Sequence, residues 1–256
     1  YQVELSEAHA LRAAAEGVLA FTAPDGSRHE FRHASDTLHE SGDWTWVGNL
    51  QDGSSGRQAV LTFGPDAVFG NIMLPDGREL LVTTRAGSAW VVETDPGLAA
   101  RQDGPDGVDF LVPSVTDAEE KSIVGHISSQ ALTAQAIGTP LVDVVVGYTN
   151  GLVTMFGSQS GAVTRINHLV SLTNQAYQNS NVDGRIRLVH SMQVGYSDFT
   201  PNSDALNAVT GSDGENPVQV PSSLQPLRDA RETYGADLVV LIRRFNDPEH
   251  ASCGVA

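Results

Sequence analysis

The stretch Leu227-Arg228-Asp229-Ala230-Arg231-Glu232-Thr233-Tyr234-Gly235-Ala236-Asp237-Leu238-Val239-Val240-Leu241-Ile242 decides how the carboxy-terminal half folds. Arg228 to Tyr234 reads as a short helix, with charges on one side and Leu227, Ala230 and Tyr234 spaced for the other. Gly235 falls where a helix end needs a residue that accepts positive φ. Leu238 to Ile242 form an unbroken apolar run, which predicts a strand buried on both faces. A helix feeding such a strand belongs to a largely parallel sheet. Arg243 and Arg244 end the run, and Cys253-Gly254-Val255-Ala256 reads as the start of a further strand.

Working outward, Leu141 to Val146 is another buried-strand pattern, with Tyr148 and Thr149 at its exit. Ser158 or Ser160 can cap a helix running to about Asn179. Val163, Ile166, Val170, Thr173 and Tyr177 share one face of it, while Arg165, Gln175 and Gln178 point outward. Asp183-Gly184 makes a turn, Arg185 to Val194 alternates as a strand, and Pro201 with Asn202 opens a short helix to Val209. Residues 211–221 read as loop. This order predicts an α/β unit with at least three strands. No G-x-G-x-x-G or P-loop follows the strand at Leu141, which argues against a nucleotide site, and no G-x-S-x-G elbow marks an α/β-hydrolase. His168 and His190 read as structural or surface histidines, and Asp237 as a local cap or pair.

The amino-terminal half has a different texture. After a short Ala-rich helix, turn signals recur at Pro24-Asp25-Gly26, Ser41-Gly42-Asp43, Gln51-Asp52-Gly53, Gly64-Pro65-Asp66, Pro75-Asp76-Gly77 and Ala86-Gly87. A spacing of about ten residues between turns predicts an antiparallel meander. Trp44, Trp46 and Trp90 all fall here and give this half an aromatic core of its own. The whole reads as α+β: a mostly antiparallel β domain over residues 1–95, a linker with a processing region over 96–139, and an α/β unit with a largely parallel sheet over 140–256. Pro96-Gly97, Gly104-Pro105-Asp106-Gly107 and Asp117 to Glu120 mark that linker as an exposed segment open to proteolytic nicking.

A formal net charge of −16 argues against nucleic acid or an anionic membrane as partner. No stretch approaches the ~20 apolar residues of a membrane span. The first residue is Tyr1, with neither an initiator Met nor a signal-peptide apolar region, so the natural start is expected to lie upstream. The single cysteine, Cys253, forms no internal disulfide and no cysteine cluster. It reads either as a buried free thiol or as half of a bridge to a residue past Ala256.

His29-Glu30-Phe31-Arg32-His33 matches the H-E-x-x-H string of zinc peptidases. That chemistry needs a helix, because only there do imidazoles at i and i+4 converge on one metal. Here the string follows the hairpin turn at Pro24-Asp25-Gly26. On a strand the two histidines would stand about 13 Å apart. His39, the nearest third donor, fits no zinc-peptidase spacing. His29, Glu30 and His33 are therefore read as polar residues on a solvated strand face.

Asn174-Gln175-Ala176-Tyr177 with Asn179-Ser180, Arg185 to Val189, Tyr196, Leu227-Arg228-Asp229, Tyr234 to Leu241 and Cys253 to Ala256 come in one order. As an ordered set over about residues 141–256, they resemble the amino-terminal part of the catalytic domain in bacterial secreted metallopeptidases of the reprolysin-like metzincin group. Gly42-Asp43-Trp44-Thr45-Trp46-Val47-Gly48 and its surroundings look like the propeptide region of such precursors. The resemblance implies a secreted (extracellular or periplasmic) zinc endopeptidase zymogen acting on protein or peptide substrates. In the complete enzyme a zinc-polarised water would attack the peptide carbonyl. It also implies that the family's zinc helix follows the Cys253 segment. On this expectation, none of the zinc ligands or catalytic residues falls within the 256 residues, which alone bind no zinc and cleave nothing. The α/β unit is then an incomplete subdomain whose partner is the remainder of its own catalytic domain. Cys253 is implied to pair with a downstream cysteine. With no cysteine before Cys253 there is no thiolate latch from the propeptide; Asp103, Asp106 and Asp109 are candidate latency ligands as hard oxygen donors, or else solvated loop residues. The alternative is a secreted non-enzymatic α/β binding module with a β accessory domain.

Overall fold

The computed structural model describes residues 2–3, 5, 7–51, 56–94 and 139–246. The amino-terminal elements are β1 (Gln2–Val3), α1 (Glu7–Glu16), β2 (Val18–Thr22), β3 (Arg28–Leu38), β4 (Trp44–Leu50), β5 (Gln58–Phe63), β6 (Val68–Met73), β7 (Glu79–Arg85) and β8 (Ser88–Glu93). They form one antiparallel sheet in the order β1-β8-β7-β6-β5-β4-β3-β2. The sheet curls so that Phe21, Phe31, Trp46, Leu61, Ile72, Leu80 and Val91, one from each of seven strands, share a core with Ala10 and Ala13 of α1. The expected turns at 24–26, 41–43, 64–66, 75–77 and 86–87 join these strands. Ala86 and Gly87 both take positive φ (49° and 74°), the primed turn that a two-residue hairpin between twisted strands requires.

A solvated antiparallel sheet alternates buried and exposed residues. Strands β4 to β6 depart from this: Thr45, Val47, Val60, Thr62 and Phe69 are as buried on the outer face as Trp44 and Trp46 are within, whereas Trp90, expected in the same core, is 37% exposed because Val91 takes the inward position of β8. Something must cover that outer face, and it is supplied by the carboxy-terminal half.

That half comprises β9 (Leu141–Thr149), α2 (Asn150–Phe156), α3 (Gln159–Asn179), β10 (Arg185–Val194), α4 (Asn202–Thr210), α5 (Gln225–Tyr234) and β11 (Leu238–Ile242). Its sheet runs β10-β9-β11, with both neighbours parallel to β9. Asp143 pins the start of all three strands. Its carboxylate accepts both forks of Arg187 from β10 (2.8 and 2.7 Å), and its backbone N–H donates to Asp237 at the mouth of β11 (2.8 Å). Asp237 is thus paired across the sheet rather than locally.

Three details differ from the sequence reading. The strand buried on both faces is β9, whose Val144, Val145 and Val146 are all enclosed, whereas Leu238 and Val240 of β11 are 53% and 39% exposed. Strand β11 lies at the side of the described sheet and α5 covers only its Val239 and Leu241 face, so an apolar run does not by itself mean double burial. Residues 150–156 are already helical, and Gly157 (φ 85°) stops α2 before Ser158 caps α3 by accepting from Gly161 N–H at 2.9 Å. Arg165 does not point into solvent: its guanidinium lies 5.5 Å over the Phe69 ring, because the outward side of α3 meets the curled sheet.

Candidate functional site

Helix α3 sits between the two sheets, and its two sides have opposite chemistry. Ala162 and Ile166 pack with Val144, Val146 and Tyr148 of β9. On the other side Thr164, Asn167, His168 and Ser171 face the curled sheet, and the first three are fully buried. Buried polar groups are tolerated only when their hydrogen bonds are made, and these are. Asn167 donates to Asp43 Oδ2 at 2.7 Å and to Ser41 Oγ at 2.8 Å, and Thr164 donates to Asp43 Oδ1 at 3.3 Å.

Around His168 the bonding pattern fixes the tautomer. Asn71 Nδ2 donates to Glu79 at 2.6 Å, so its carbonyl oxygen faces His168 Nε2 at 2.8 Å and must accept. Nδ1 of the neutral ring then accepts from Thr62 Oγ1 at 3.0 Å. With its proton so committed, Thr62 accepts from Thr45 at 2.8 Å, and Thr45 in turn accepts from His39 Nε2 at 2.8 Å. The result is a one-way chain, His39 to Thr45 to Thr62 to His168 to Asn71. Burial and then the Arg165 charge push the His168 pKa down to about 3, so the ring is neutral at ordinary pH. Burial also lowers the pKa of His39.

One aromatic anchors this interface. Phe69 is fully buried and meets Phe156 edge-on (centroids 4.9 Å), with His168 and Arg165 on either side. Gly64 comes so close that a Cβ there would lie 2.0 Å from Thr164 Oγ1 and 2.6 Å from Asp43 Oδ1. Beside the interface, a groove of about 780 Å³ runs between the end of β3, α3 and β10, lined by Thr37, His39, Ser171, Asn174 and Arg185 among others.

A second node lies at the carboxyl ends of the parallel strands. Asp198 accepts from Thr149 Oγ1 (2.5 Å), Gly151 N–H (3.1 Å) and Arg244 N–H (2.8 Å), tying the exit of β9, the start of α2 and the segment after β11 to one carboxylate. Arg243 reinforces it by donating to Ser197 O, Thr200 O and Oγ1, and Asn202 Oδ1. This is a structural clasp with its acceptors occupied.

The residues singled out by sequence fall as follows. His29, Glu30 and His33 all lie on β3. His29 Nε2 meets Ser27 Oγ (2.8 Å) and His33 Nε2 meets Asp36 (3.2 Å), so the two rings serve separate local contacts. His190 stacks on Tyr234 at 4.2 Å between centroids. Cys253 and the aspartates Asp103, Asp106 and Asp109 lie outside the described residues. Among the described residues, no group of three or more His, Cys, Asp or Glu side chains could hold a metal ion. No catalytic step is assigned to them. Sequence reasoning missed Asp43, Thr45, Thr62, Asn71 and Asp198. The strand residues could have been found from parity: Thr45 and Thr62 sit on the face opposite Trp44 and Trp46 and within otherwise apolar runs.

Residues 139–256, which carry the parallel sheet with α3 laid against it, match the reprolysin-like metallo-peptidase family M12B. Residues 1–97 match the BamI lipocalin-like domain. The chain is 29% identical over 139 residues to the peptidyl-Asp metalloendopeptidase of Pseudomonas aeruginosa, an alignment covering 53% of this chain and 21% of that protein. It therefore spans about a fifth of the length of the curated relative it matches. No solved structure matches it.

Proposed function

We propose that this chain is the amino-terminal portion of a secreted zinc metalloendopeptidase zymogen. In this reading residues 1–95 act as a propeptide domain, 96–139 as the connection where processing occurs, and 140–256 as the scaffold half of the catalytic domain. The observation that carries it is the match of residues 139–256 to the reprolysin-like family, on a segment whose β10-β9-β11 sheet is wholly parallel. The zinc ligands would come from the rest of the catalytic domain, which is the segment's first partner. Protein or peptide substrates follow from the family, and peptidyl-Asp bonds are the class named by the relative.

The lipocalin-like match favours a second reading, a binding module in which the curled sheet carries a small ligand. Against it, the sheet interior is filled by Phe31, Trp46, Leu61, Ile72 and Leu80, each essentially without exposure. Protein expressed from the complete gene separates the two. The zymogen reading requires about one zinc per molecule and, once processed, digestion of casein. Absence of both from the folded protein would leave only the binding module.

A further inference from the structure

The covered face of α3 has a composition suited to two states. A face buried permanently within one core is usually apolar. Here the helix offers Thr164, Asn167, His168 and Ser171, all of which can be solvated by water if the curled sheet leaves. The sheet answers with Ser41, Asp43, Thr45, Thr62 and Asn71, beside apolar contact from Phe69 and Ala67. A buried aromatic anchor flanked by satisfied polar pairs is how separable but specific protein interfaces are built.

We propose that α3 is a docking surface that recognises the curled sheet as a non-covalent partner, so that the two halves stay bound after the connecting sequence is cut. The proposal rests on the zymogen reading for its purpose, since it makes release of the sheet a step separate from cleavage. Its physical basis is independent of that reading. The hydrogen-bonded network discriminates against other partners, because any surface that fails to match it would strand buried donors. Phe69 supplies affinity, and Gly64 sets the close approach, as no side chain fits between it and Thr164.

The test cuts the intact chain at a site-specific protease sequence inserted within residues 96–138, then follows the fragments by native size-exclusion chromatography. Co-elution in a one-to-one ratio is expected at micromolar concentration. Phe69→Ala removes only an outer-face side chain and should weaken the complex more than tenfold. Gly64→Val, which wedges the approach, should do the same, while both uncut variants keep the parent's far-UV circular dichroism. Separation or precipitation of the parent fragments would overturn the proposal. So would co-elution of both variants as tightly as the parent. A full-length protein without peptidase activity would sink the zymogen reading and leave this result untouched; fragments that part from an active peptidase would do the reverse.

Discussion

At the scale of residues, His168 is the most constrained group in the molecule. Its two ring nitrogens satisfy the Thr62 hydroxyl proton and the Asn71 carbonyl oxygen, so His168→Ala would strip that bond from each in a dry interface, leaving Thr62 only Thr45 and Asn71 only Glu79. Each stranded buried group costs about 1–3 kcal/mol, and we expect a loss of about 3 kcal/mol in urea unfolding of the chain. A second expectation concerns pH. The folded pKa is pushed down to about 3 against an ordinary value of 6.5. Between those values the unfolded chain binds a proton that the folded one refuses, so stability rises with pH through that window. It is complete above about pH 7 and is lost as pH falls toward 3. The groups facing the ring are Thr62, Asn71, Phe69 and Arg165, and the only charge among them, Arg165, works in the same direction. In His168→Gln the acid slope measured by denaturation at stepped pH should flatten; an unchanged slope would mean that other groups carry it.

At the scale of elements, much was legible. The hydrophobic alternation and turn residues foretold β4 to β8, and Gly235 ends α5 in the left-handed conformation expected of it (φ 64°). What could not be read was which second face would be covered. Thr45, Thr62 and Phe69 have the same periodicity whether they meet solvent or α3, and the partner lies 100 or more residues along the chain for the Thr45–Ser171 and Thr62–His168 pairs. For the same reason Arg165 was assigned to solvent and β11 to burial on both faces. Local pattern specifies an element and its faces; only tertiary packing says what each face touches. The β7–β8 hairpin offers a local test. Ala86 holds φ 49°, a conformation that costs a non-glycine residue about 1 kcal/mol and that asparagine tolerates better. Ala86→Asn should therefore stabilise the chain by about 0.5–1 kcal/mol, visible as a rise of a few degrees in Tm.

At the scale of the whole molecule, little of the candidate site was legible in the sequence. The H-E-x-x-H string at His29 was set aside because the preceding hairpin turn demanded a strand, and β3 is that strand. The groups that join the halves were invisible, since each of Asp43, Asn71 and Asn167 looks like an ordinary surface polar residue until its partner is known. The described residues form a curled sheet with a filled core and a parallel sheet within the segment that matches the reprolysin-like family, meeting on the polar side of one helix. The formal charge of −16 further predicts that elution from an anion exchanger is late and that heparin retains none of the protein at physiological salt. The most direct measurement is zinc content and caseinolysis of the protein expressed from its complete gene, before and after cleavage within residues 96–139. The account predicts about one zinc per molecule, with activity appearing after processing; a folded, processed protein that holds no zinc and leaves casein intact would contradict it.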